Sequence, residues 1–287
     1  MAGSDGATRA RLERKARAAP AQGPVISGSG DRCAPIYAAG SGLPVRINHN
    51  VGGAQETVRS RSLARRLPRW LRRLLLRFEA AIEDSVASFA ASLPEGTRVL
   101  DAGAGECTYA GWFRRQHYVG VDMAVGDPGW DYSRLDVIAD LEALPFPDGC
   151  FGACLNIVTL EHVRDPLRVL RELARILAPG GRLLLVAPQE WEVHQAPRDY
   201  YRFTRYGLGY LLEQAGLQVV SLRAAGGLFC VLARRLLNAL QLLPLPLRLL
   251  AVWVVLPASL LASLLDGLDR ERNFTLGYIC IAARSCV

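Results

Sequence analysis

The chain has 287 residues, of which 51% are apolar and 21% charged, so it can bury a large core and is not a disordered protein. Its seven cysteines include no CxxC pair, which excludes a disulfide framework and indicates reduced thiols in a cytoplasmic protein. No His or Cys set has zinc spacing, so the sequence predicts no metal site.

The net charge of +7 is unevenly distributed along the chain. Residues 1–77 carry 15 Arg or Lys against 4 Asp or Glu, a net of +11 that leaves −4 for the remainder. We expect residues 1–66, which lack sustained periodicity, to form a basic, disordered leader. Either a polyanion contact or a solvated arginine-rich tail explains its charge. No apolar run typical of a signal peptide precedes the domain, so we expect a cytoplasmic location.

The predicted core domain spans residues 67–226 and begins with a segment of periodically spaced apolar residues. From Pro68 to Phe89, apolar residues recur at three- and four-residue steps, which predicts an amphipathic helix. Arginines crowd its first turns. Packing on the domain core is the use that we favour, and binding to an anionic membrane surface is the alternative.

Short apolar runs then alternate with helical patterns, which predicts a parallel sheet covered on both faces. The predicted strands are 98–103, 118–122, 135–140, 151–157, 182–187 and 217–222, and the predicted helices are 107–115, 164–177 and 205–215. An apolar segment at 227–270 interrupts this alternation as an insertion. Residues 271–287, which follow it, contain one more predicted strand at 275–283.

The stretch VLDAGAGECTYAGWF, residues 99–113, predicts a strand, a glycine turn and a helix. Gly103 and Gly105 can adopt positive φ and let a ligand approach the main chain. Asp122 ends the next strand, where a carboxylate can accept both hydroxyls of a ribose. A dinucleotide cofactor and a cationic nucleoside cofactor both fit this pattern. Asp101 favours the second, because a carboxylate at the turn repels a pyrophosphate and attracts an amino group.

Five ordered pieces, VLDAGAGE, YVGVD, ADLEALPFPDGCF, NIVTLEHV and LAPGGRLLLVAP, resemble the class I S-adenosylmethionine-dependent methyltransferases of the type 11 group. The resemblance implies an α/β, Rossmann-like doubly wound sheet of seven strands with the last strand antiparallel. It also implies S-adenosyl-L-methionine as cofactor, bound by Asp101, Gly103 and Gly105 at the methionine part and by Asp122 at the ribose. The implied adenine contacts are Asp140 and Leu141, while Asn156 and Leu160 line the far side near the sulfonium.

The acceptor of the methyl group is indicated only by a polar, aromatic loop at 188–207. Its HxxPxDYxRFT run resembles one in bacterial methyltransferases associated with surface polysaccharide or glycolipid synthesis. Trp191, Tyr200, Tyr201 and Arg202 are the candidate substrate contacts, and a lid held together by salt bridges is the alternative. His194 and His162 are candidate general bases for a hydroxyl acceptor, each with a structural role as its alternative.

The apolar insertion at 227–270 contains 17 uncharged residues, 249–265, interrupted by Pro257. That length is just short of the roughly 20 residues that span a bilayer. Because the strand at 275–283 must rejoin the sheet, we expect a helical hairpin lying in the inner-leaflet interface rather than a single span. A helical subdomain or dimer face buried against protein is the alternative.

The sequence therefore predicts methyl transfer to a small-molecule, glycan or lipid-linked acceptor, at oxygen, by a protein at or near the inner membrane face. A noncatalytic S-adenosylmethionine-binding scaffold is the alternative from another class. Nucleic acid is a less favoured acceptor, because the domain is acidic and no NPPY-like stretch follows the fourth strand. Oxygen is the favoured element because the two candidate bases suit a hydroxyl acceptor, whereas the acceptor molecule, its particular atom and the oligomeric state do not follow from the sequence.

Overall fold

The computed structural model describes residues 46–47, 68–127 and 129–286. Its helices are α1 Arg69–Leu75, α2 Arg77–Ala91, α3 Pro166–Ile176, α4 Arg205–Gln214, α5 Leu228–Ala239 and α6 Leu245–Leu265. Its strands are β1 Arg46–Ile47, β2 Arg98–Ala102, β3 His117–Asp122, β4 Val137–Ile138, β5 Phe151–Ile157, β6 Leu177–Pro188, β7 Leu217–Ala224 and β8 Gly277–Arg284.

The strands form one mixed sheet in the order β1-β4-β3-β2-β5-β6-β8-β7. Strands β2 to β6 are parallel to one another, whereas β1 is antiparallel to β4 and β8 is antiparallel to both β6 and β7. The predicted doubly wound sheet with a reversed last strand is confirmed. The short β1 is an eighth, edge strand within the predicted leader, and the rest of that leader lies outside the described residues.

Helices cover both faces of this sheet, as the alternating pattern predicts. On one face, α2 buries Phe78, Ile82, Val86 and Phe89 against the inner strands. On the other face, α3 and α4 bury a matching set of leucines. Complete burial of each such side chain stabilises the fold by roughly 1.5–3 kcal/mol. The N-terminal amphipathic helix therefore packs on the domain core, although it is divided into α1 and α2 at Leu76.

The predicted helix at 107–115 is wrong. Cys107 has φ 54°, a left-handed conformation that a right-handed α-helix cannot contain. Successive turns follow it, with only a single 3₁₀ turn at Ala110–Trp112. The segment after β2 therefore offers irregular backbone, rather than the end of a helix, to a ligand.

Two other boundaries differ from the prediction. The strand predicted at 135–140 is reduced to the two residues of β4. By contrast β6 begins at Leu177, ahead of the predicted start at 182, and includes Pro179-Gly180-Gly181. Helix α3 lies within the predicted range 164–177, and the Asp165 side chain caps its start by accepting a hydrogen bond from the Arg168 amide at 3.0 Å.

The insertion forms a helical hairpin, α5 and α6, whose base is fixed to the domain. Asp266, fully buried after α6, accepts hydrogen bonds of 2.9 Å from the amides of Gly227 and Cys230 at the start of α5. It also pairs with Arg77 at 3.1 Å. The turn between the two helices, 240–244, is at the opposite end of the hairpin.

Candidate functional site

A cavity of about 400 Å³ lies at the carboxyl ends of β2, β3 and β5, where the strand order reverses. Ligands of doubly wound folds bind at this place, and cavities of 300–1,000 Å³ are typical of small-molecule sites. The turns after β2, β3 and β5 form its floor, while α2 and the segment 191–198 close its sides.

The glycine turn, residues 103–105, lines the cavity. Gly103 has φ +85°, and a Cβ there would lie 2.2 Å from Cγ2 of Thr159. Gly105 has φ +52°, and a Cβ there would lie 3.2 Å from the Trp130 ring. Both positions therefore require glycine, and the bare backbone faces the cavity as the sequence predicts.

Asp122 lies beside this turn and lines the cavity. Its Oδ2 accepts a hydrogen bond from the Gly105 amide at 3.0 Å, and its Oδ1 accepts one from the Ala124 amide at 2.8 Å. Each carboxylate oxygen has a second lone pair, so the side chain can still accept the two hydroxyls of a ribose. This geometry fits the predicted role.

Asp140 and Leu141 also line the cavity, after β4. Oδ1 of Asp140 accepts a hydrogen bond from the Glu142 amide at 2.9 Å, which fixes the orientation of the carboxylate. Leu141 is 4% exposed and presents an apolar wall. An acceptor beside an apolar surface suits a purine ring with an amino group.

Asp101 and Asn156 do not line the cavity, although both were predicted to contact the cofactor. Asp101 is buried below the turn, where its Oδ2 accepts a hydrogen bond from the Tyr118 hydroxyl at 2.6 Å. Burial raises the pKa of Asp101 to about 7. Asn156 is fully buried and its Nδ2 donates to the Ala102 carbonyl at 2.9 Å, so it connects β5 to β2 behind the cavity wall. Leu160 is likewise buried in the core.

The cavity is also lined by His162 and His194, which form a His-Glu cluster with the buried Glu161. The two imidazole rings touch edge to face, with centroids 4.6 Å apart. Glu161 is fully buried beside them, and burial raises the pKa of its carboxyl to about 8. Burial lowers the pKa of His162. The structure thus brings together the two histidines that the sequence singles out separately.

The loop that carries His194 is ordered by one bidentate ion pair. Arg202 donates to both oxygens of Asp199, at 2.6 and 2.8 Å, and to the Glu192 carbonyl at 2.8 Å. This pairing lowers the pKa of Asp199 to about 2. Oδ2 of Asp199 in turn accepts the His194 amide at 2.9 Å. Arg202 therefore positions the loop and does not line the cavity, which agrees with the salt-bridged lid that was the alternative.

Among the predicted aromatic contacts, only Trp191 lines the cavity. Its ring packs on Phe78 of α2 at 5.4 Å and carries the Arg234 guanidinium at 4.6 Å. Tyr200 and Tyr201 are 42% and 39% exposed and lie outside the lining. The Tyr201 hydroxyl donates to the Arg164 carbonyl at 2.9 Å, so this tyrosine connects the loop to the segment after β5.

Sequence reasoning missed several lining residues. Phe78, Glu79 and Ile82 reach the cavity from α2, which the periodicity marked only as a core helix. Arg198 lines it from the loop and donates to the Val125 carbonyl at 2.8 Å across the cavity rim. Glu161 had a signal, since it precedes His162 in TLEHV, but a single glutamate there does not reveal its burial.

The strand order, the glycine turn and the carboxylate that follows β3 together define the fold and cofactor cleft of a class I methyltransferase. Residues 100–185, from β2 to β6, match the family described as "Methyltransferase domain". The domain is that of an S-adenosylmethionine-dependent methyltransferase, and S-adenosylmethionine is its cofactor.

Curated relatives match the same region. An uncharacterized methyltransferase of Mycobacterium sp. (strain KMS) is 36% identical over 124 residues, which are 38% of this chain and 49% of that protein. A tRNA (carboxymethyluridine(34)-5-O)-methyltransferase of Arabidopsis thaliana is 30% identical over 141 residues, 46% of this chain and 33% of that protein. The chain thus spans about half the length, or less, of these relatives.

Among solved structures, a putative sarcosine dimethylglycine methyltransferase from Galdieria sulphuraria superposes with a TM-score of 0.49 at 14% identity. The match covers 72% of this chain and 88% of that one. A Burkholderia thailandensis 1,6-didemethyltoxoflavin-N1-methyltransferase with bound S-adenosylhomocysteine gives 0.44 at 16% identity, covering 82% and 93%.

Proposed function

We propose that the protein transfers a methyl group to an oxygen of a glycan or lipid-linked acceptor. The observation that carries this proposal is that one cavity is lined both by the glycine turn with Asp122 and by His162 with His194.

S-adenosylmethionine supplies a methyl group on a sulfonium, which is already activated for displacement. The residues of this chain therefore act mainly by alignment and by excluding water. Asp122 orients the nucleoside, and the bare turn at Gly103 and Gly105 permits close approach. Trp191, supported by Phe78, presents an aromatic face to the acceptor, a surface that suits a sugar ring. His162 and His194 are the polar side chains that meet the acceptor hydroxyl, and their predicted role as general bases is part of this proposal.

Helix α6 supports a lipid-linked acceptor, because it exposes large apolar side chains and buries polar ones against the protein. Ser259 and Ser263 are buried, and their hydroxyls donate to the carbonyls of Ala233 and Leu74 at 3.3 and 2.8 Å. Trp253 and Leu250, in contrast, are 80% and 69% exposed. Small residues at the helix contact and large apolar residues outside are typical of helices in lipid.

Helix length agrees with this interpretation. In the described part of the chain, the helical segment Leu245–Leu268 is long and apolar enough to cross a membrane by length and composition. Because β8 returns to the sheet, we propose that the hairpin lies along the membrane interface, with Arg248 at its outer end directed to lipid phosphates. A peripheral location at the inner membrane face follows from the same proposal.

Methyl transfer is tested by incubating the full chain with S-[methyl-³H]adenosylmethionine and separate fractions of glycolipid, soluble glycan and bulk tRNA. We expect label in the glycolipid or glycan fraction. His194→Ala and His162→Ala should each lower turnover by about 100-fold or more with unchanged cofactor affinity, whereas Asp122→Asn should lower cofactor affinity. Label in tRNA alone would favour the acceptor class of the tRNA-modifying relatives, and no label with intact cofactor affinity would favour a scaffold.

Membrane association is tested by flotation with vesicles rich in phosphatidylglycerol. The double variant Trp253→Ser/Leu250→Ser should stay in the soluble fraction, while the wild type floats. Val219→Ser/Val220→Ser is the matched control, because these β7 residues are also exposed, at 43% and 64%, but lie on the sheet edge. Equal flotation of all three proteins would contradict the role of α6, and a wild type that does not float would contradict membrane association.

A further inference from the structure

The His-Glu cluster leaves four buried polar atoms without any hydrogen-bond partner among the described residues. They are both carboxylate oxygens of Glu161 and the Nε2 atoms of His162 and His194. Glu161 Oε1 lies 3.7 Å from one Nε2 and 3.9 Å from the other. These distances are too long for a hydrogen bond, so no proton bridges the groups. Unpaired buried polar atoms are costly, and both Nε2 atoms lie within 3.9 Å of the unpaired Glu161 Oε1, which indicates a missing partner.

The other nitrogen of each ring fixes what that partner must be. His162 Nδ1 lies 2.6 Å from the Arg198 carbonyl oxygen, and His194 Nδ1 lies 3.1 Å from the Glu192 carbonyl oxygen. A carbonyl only accepts, so each Nδ1 carries the hydrogen and each Nε2 presents a lone pair. The two Nε2 lone pairs therefore face the carboxyl group of Glu161, and one bound cation satisfies all three ligand groups at once.

We propose that Glu161, His162 and His194 bind one divalent transition-metal ion, with Zn²⁺ as the best match to two imidazoles and a carboxylate. The three ligand groups lie within 4.8 Å of one another. Ligands of a tetrahedral site with bonds near 2.1 Å are roughly 3.4 Å apart. Metal binding therefore requires Glu161 Oε1, at 3.7 and 3.9 Å from the two Nε2 atoms, to move by up to about 0.5 Å, and any ligand pair near the 4.8 Å limit to approach by about 1.4 Å. The sequence predicted no metal site, because no set of cysteines or histidines has the spacing along the chain that is typical of zinc ligands.

The surroundings resemble the support that metal-binding histidines need. Asp199 Oδ2 lies 3.5 Å from His194 Nδ1 and fixes the backbone of the same residue, and Arg202 holds Asp199 in place. A carboxylate behind a histidine orients the ring and raises its basicity as a ligand. Both histidines line the cavity, so the coordination positions of the ion that no protein ligand fills are on the cavity side.

The role of the ion rests on the methyl transfer proposed above. An ion with three protein ligands and an open position would bind and orient an oxygen of the acceptor and favour its deprotonated form, with the proton released to solvent. Because each Nε2 is then a metal ligand, the ion replaces the general-base role given above to His162 and His194.

The test is a titration of the full-length, chelator-treated protein with Co²⁺, followed by its visible absorption and by displacement with Zn²⁺. We expect one Co²⁺ per chain. Glu161→Gln, His162→Ala and His194→Ala should each weaken binding by at least about 100-fold. Cofactor affinity, measured by calorimetry, should be retained in these variants and serves as the folding control, since Gly103, Gly105 and Asp122 are left unaltered.

Two control variants remove other candidate ligands. His117→Gln replaces an exposed histidine at the start of β3, and Cys286→Ser replaces an exposed free thiol. Both should bind Co²⁺ as the wild type does. A wild type that binds no Co²⁺ or Zn²⁺, or binding unchanged in all three cluster variants, would overturn the proposal. Because neither methyl donor nor acceptor is present in the titration, its failure is distinguishable from a failure of methyl transfer.

Discussion

Gly103 illustrates, for a single residue, how backbone conformation creates the cofactor site. Its φ of +85° is unfavourable for any side chain, and a Cβ would overlap Thr159, whose Cγ2 is 2.2 Å away. We expect Gly103→Ala to lower the free energy of unfolding by about 2 kcal/mol or more and to weaken S-adenosylmethionine binding. Urea denaturation and calorimetry measure the two effects.

Gly209 provides the matched control for this substitution. It lies inside α4, where a new Cβ meets nothing within 4 Å. Gly209→Ala should therefore stabilise the protein by roughly 0.5–1 kcal/mol, as helix propensity predicts. If both alanine variants had the same stability, conformational strain at the turn would not be what requires glycine at 103.

Asp101 gives a prediction about pH. Its folded pKa of about 7 is above that of an unfolded aspartate, about 3.9, so the folded state binds more protons between these values. Stability from this group is complete below the lower value and is lost as pH rises toward the higher one, at up to about 1.4 kcal/mol per pH unit. Asp101→Asn removes this dependence while retaining an acceptor for Tyr118.

The measurement is the difference in unfolding free energy between wild type and Asp101→Asn, in cofactor-free protein from about pH 4 to pH 7. The difference should become less favourable to the wild type as pH rises. A difference that is constant over this range would show that Asp101 is ionised throughout.

Motif spacing was sufficient to predict which residues form the cofactor end of the cavity, but not how far each side chain is from it. Gly103, Gly105 and Asp122 follow from strand ends and turn chemistry. Asp101 and Asn156 carry the same motifs, yet the pairing of β2 with β3 and β5 directs them into the protein. Sequence spacing along one strand does not reveal what its neighbours cover.

Whole elements show a similar division. Helices α3 and α4 and strands β2, β3 and β5 have strong periodicity and were predicted to within about two residues at each end. The helix at 107–115 was not, because helical apolar spacing cannot reveal that Cys107 adopts positive φ. The His-Glu cluster joins two elements that are about thirty residues apart, Glu161 with His162 after β5 and His194 in the loop after β6. Only the folded sheet brings them together.

Asp266 connects the base of the α5–α6 hairpin to the rest of the domain. Its buried carboxylate accepts two amide hydrogens of α5 and pairs with Arg77 of α2. Asp266→Asn leaves the arginine without its buried partner, so we expect a loss of about 3 kcal/mol in unfolding free energy. Urea denaturation measures it.

The control for this variant is Asp84→Asn, which breaks an ion pair with Arg73 whose two side chains are 55% and 59% exposed. That substitution should cost no more than about 1 kcal/mol. A similar small loss in both variants would show that the hairpin is held by apolar packing and not by Asp266.

At the scale of the whole molecule, stability should be concentrated in the sheet and least in the outer part of the hairpin. Strands β5, β6 and β8 are paired on both edges and covered on both faces, whereas α6 contacts protein along one narrow face. Amide hydrogen exchange should therefore be slowest in these strands and fastest, among the described helices and strands, near the start of α6. Vesicles rich in phosphatidylglycerol should slow exchange in α6 and leave β5 unchanged, because only α6 gains a covering surface. Slowing in the sheet as well would indicate a general stabilisation, and no slowing in α6 would place the membrane, if it binds at all, on another face of the protein.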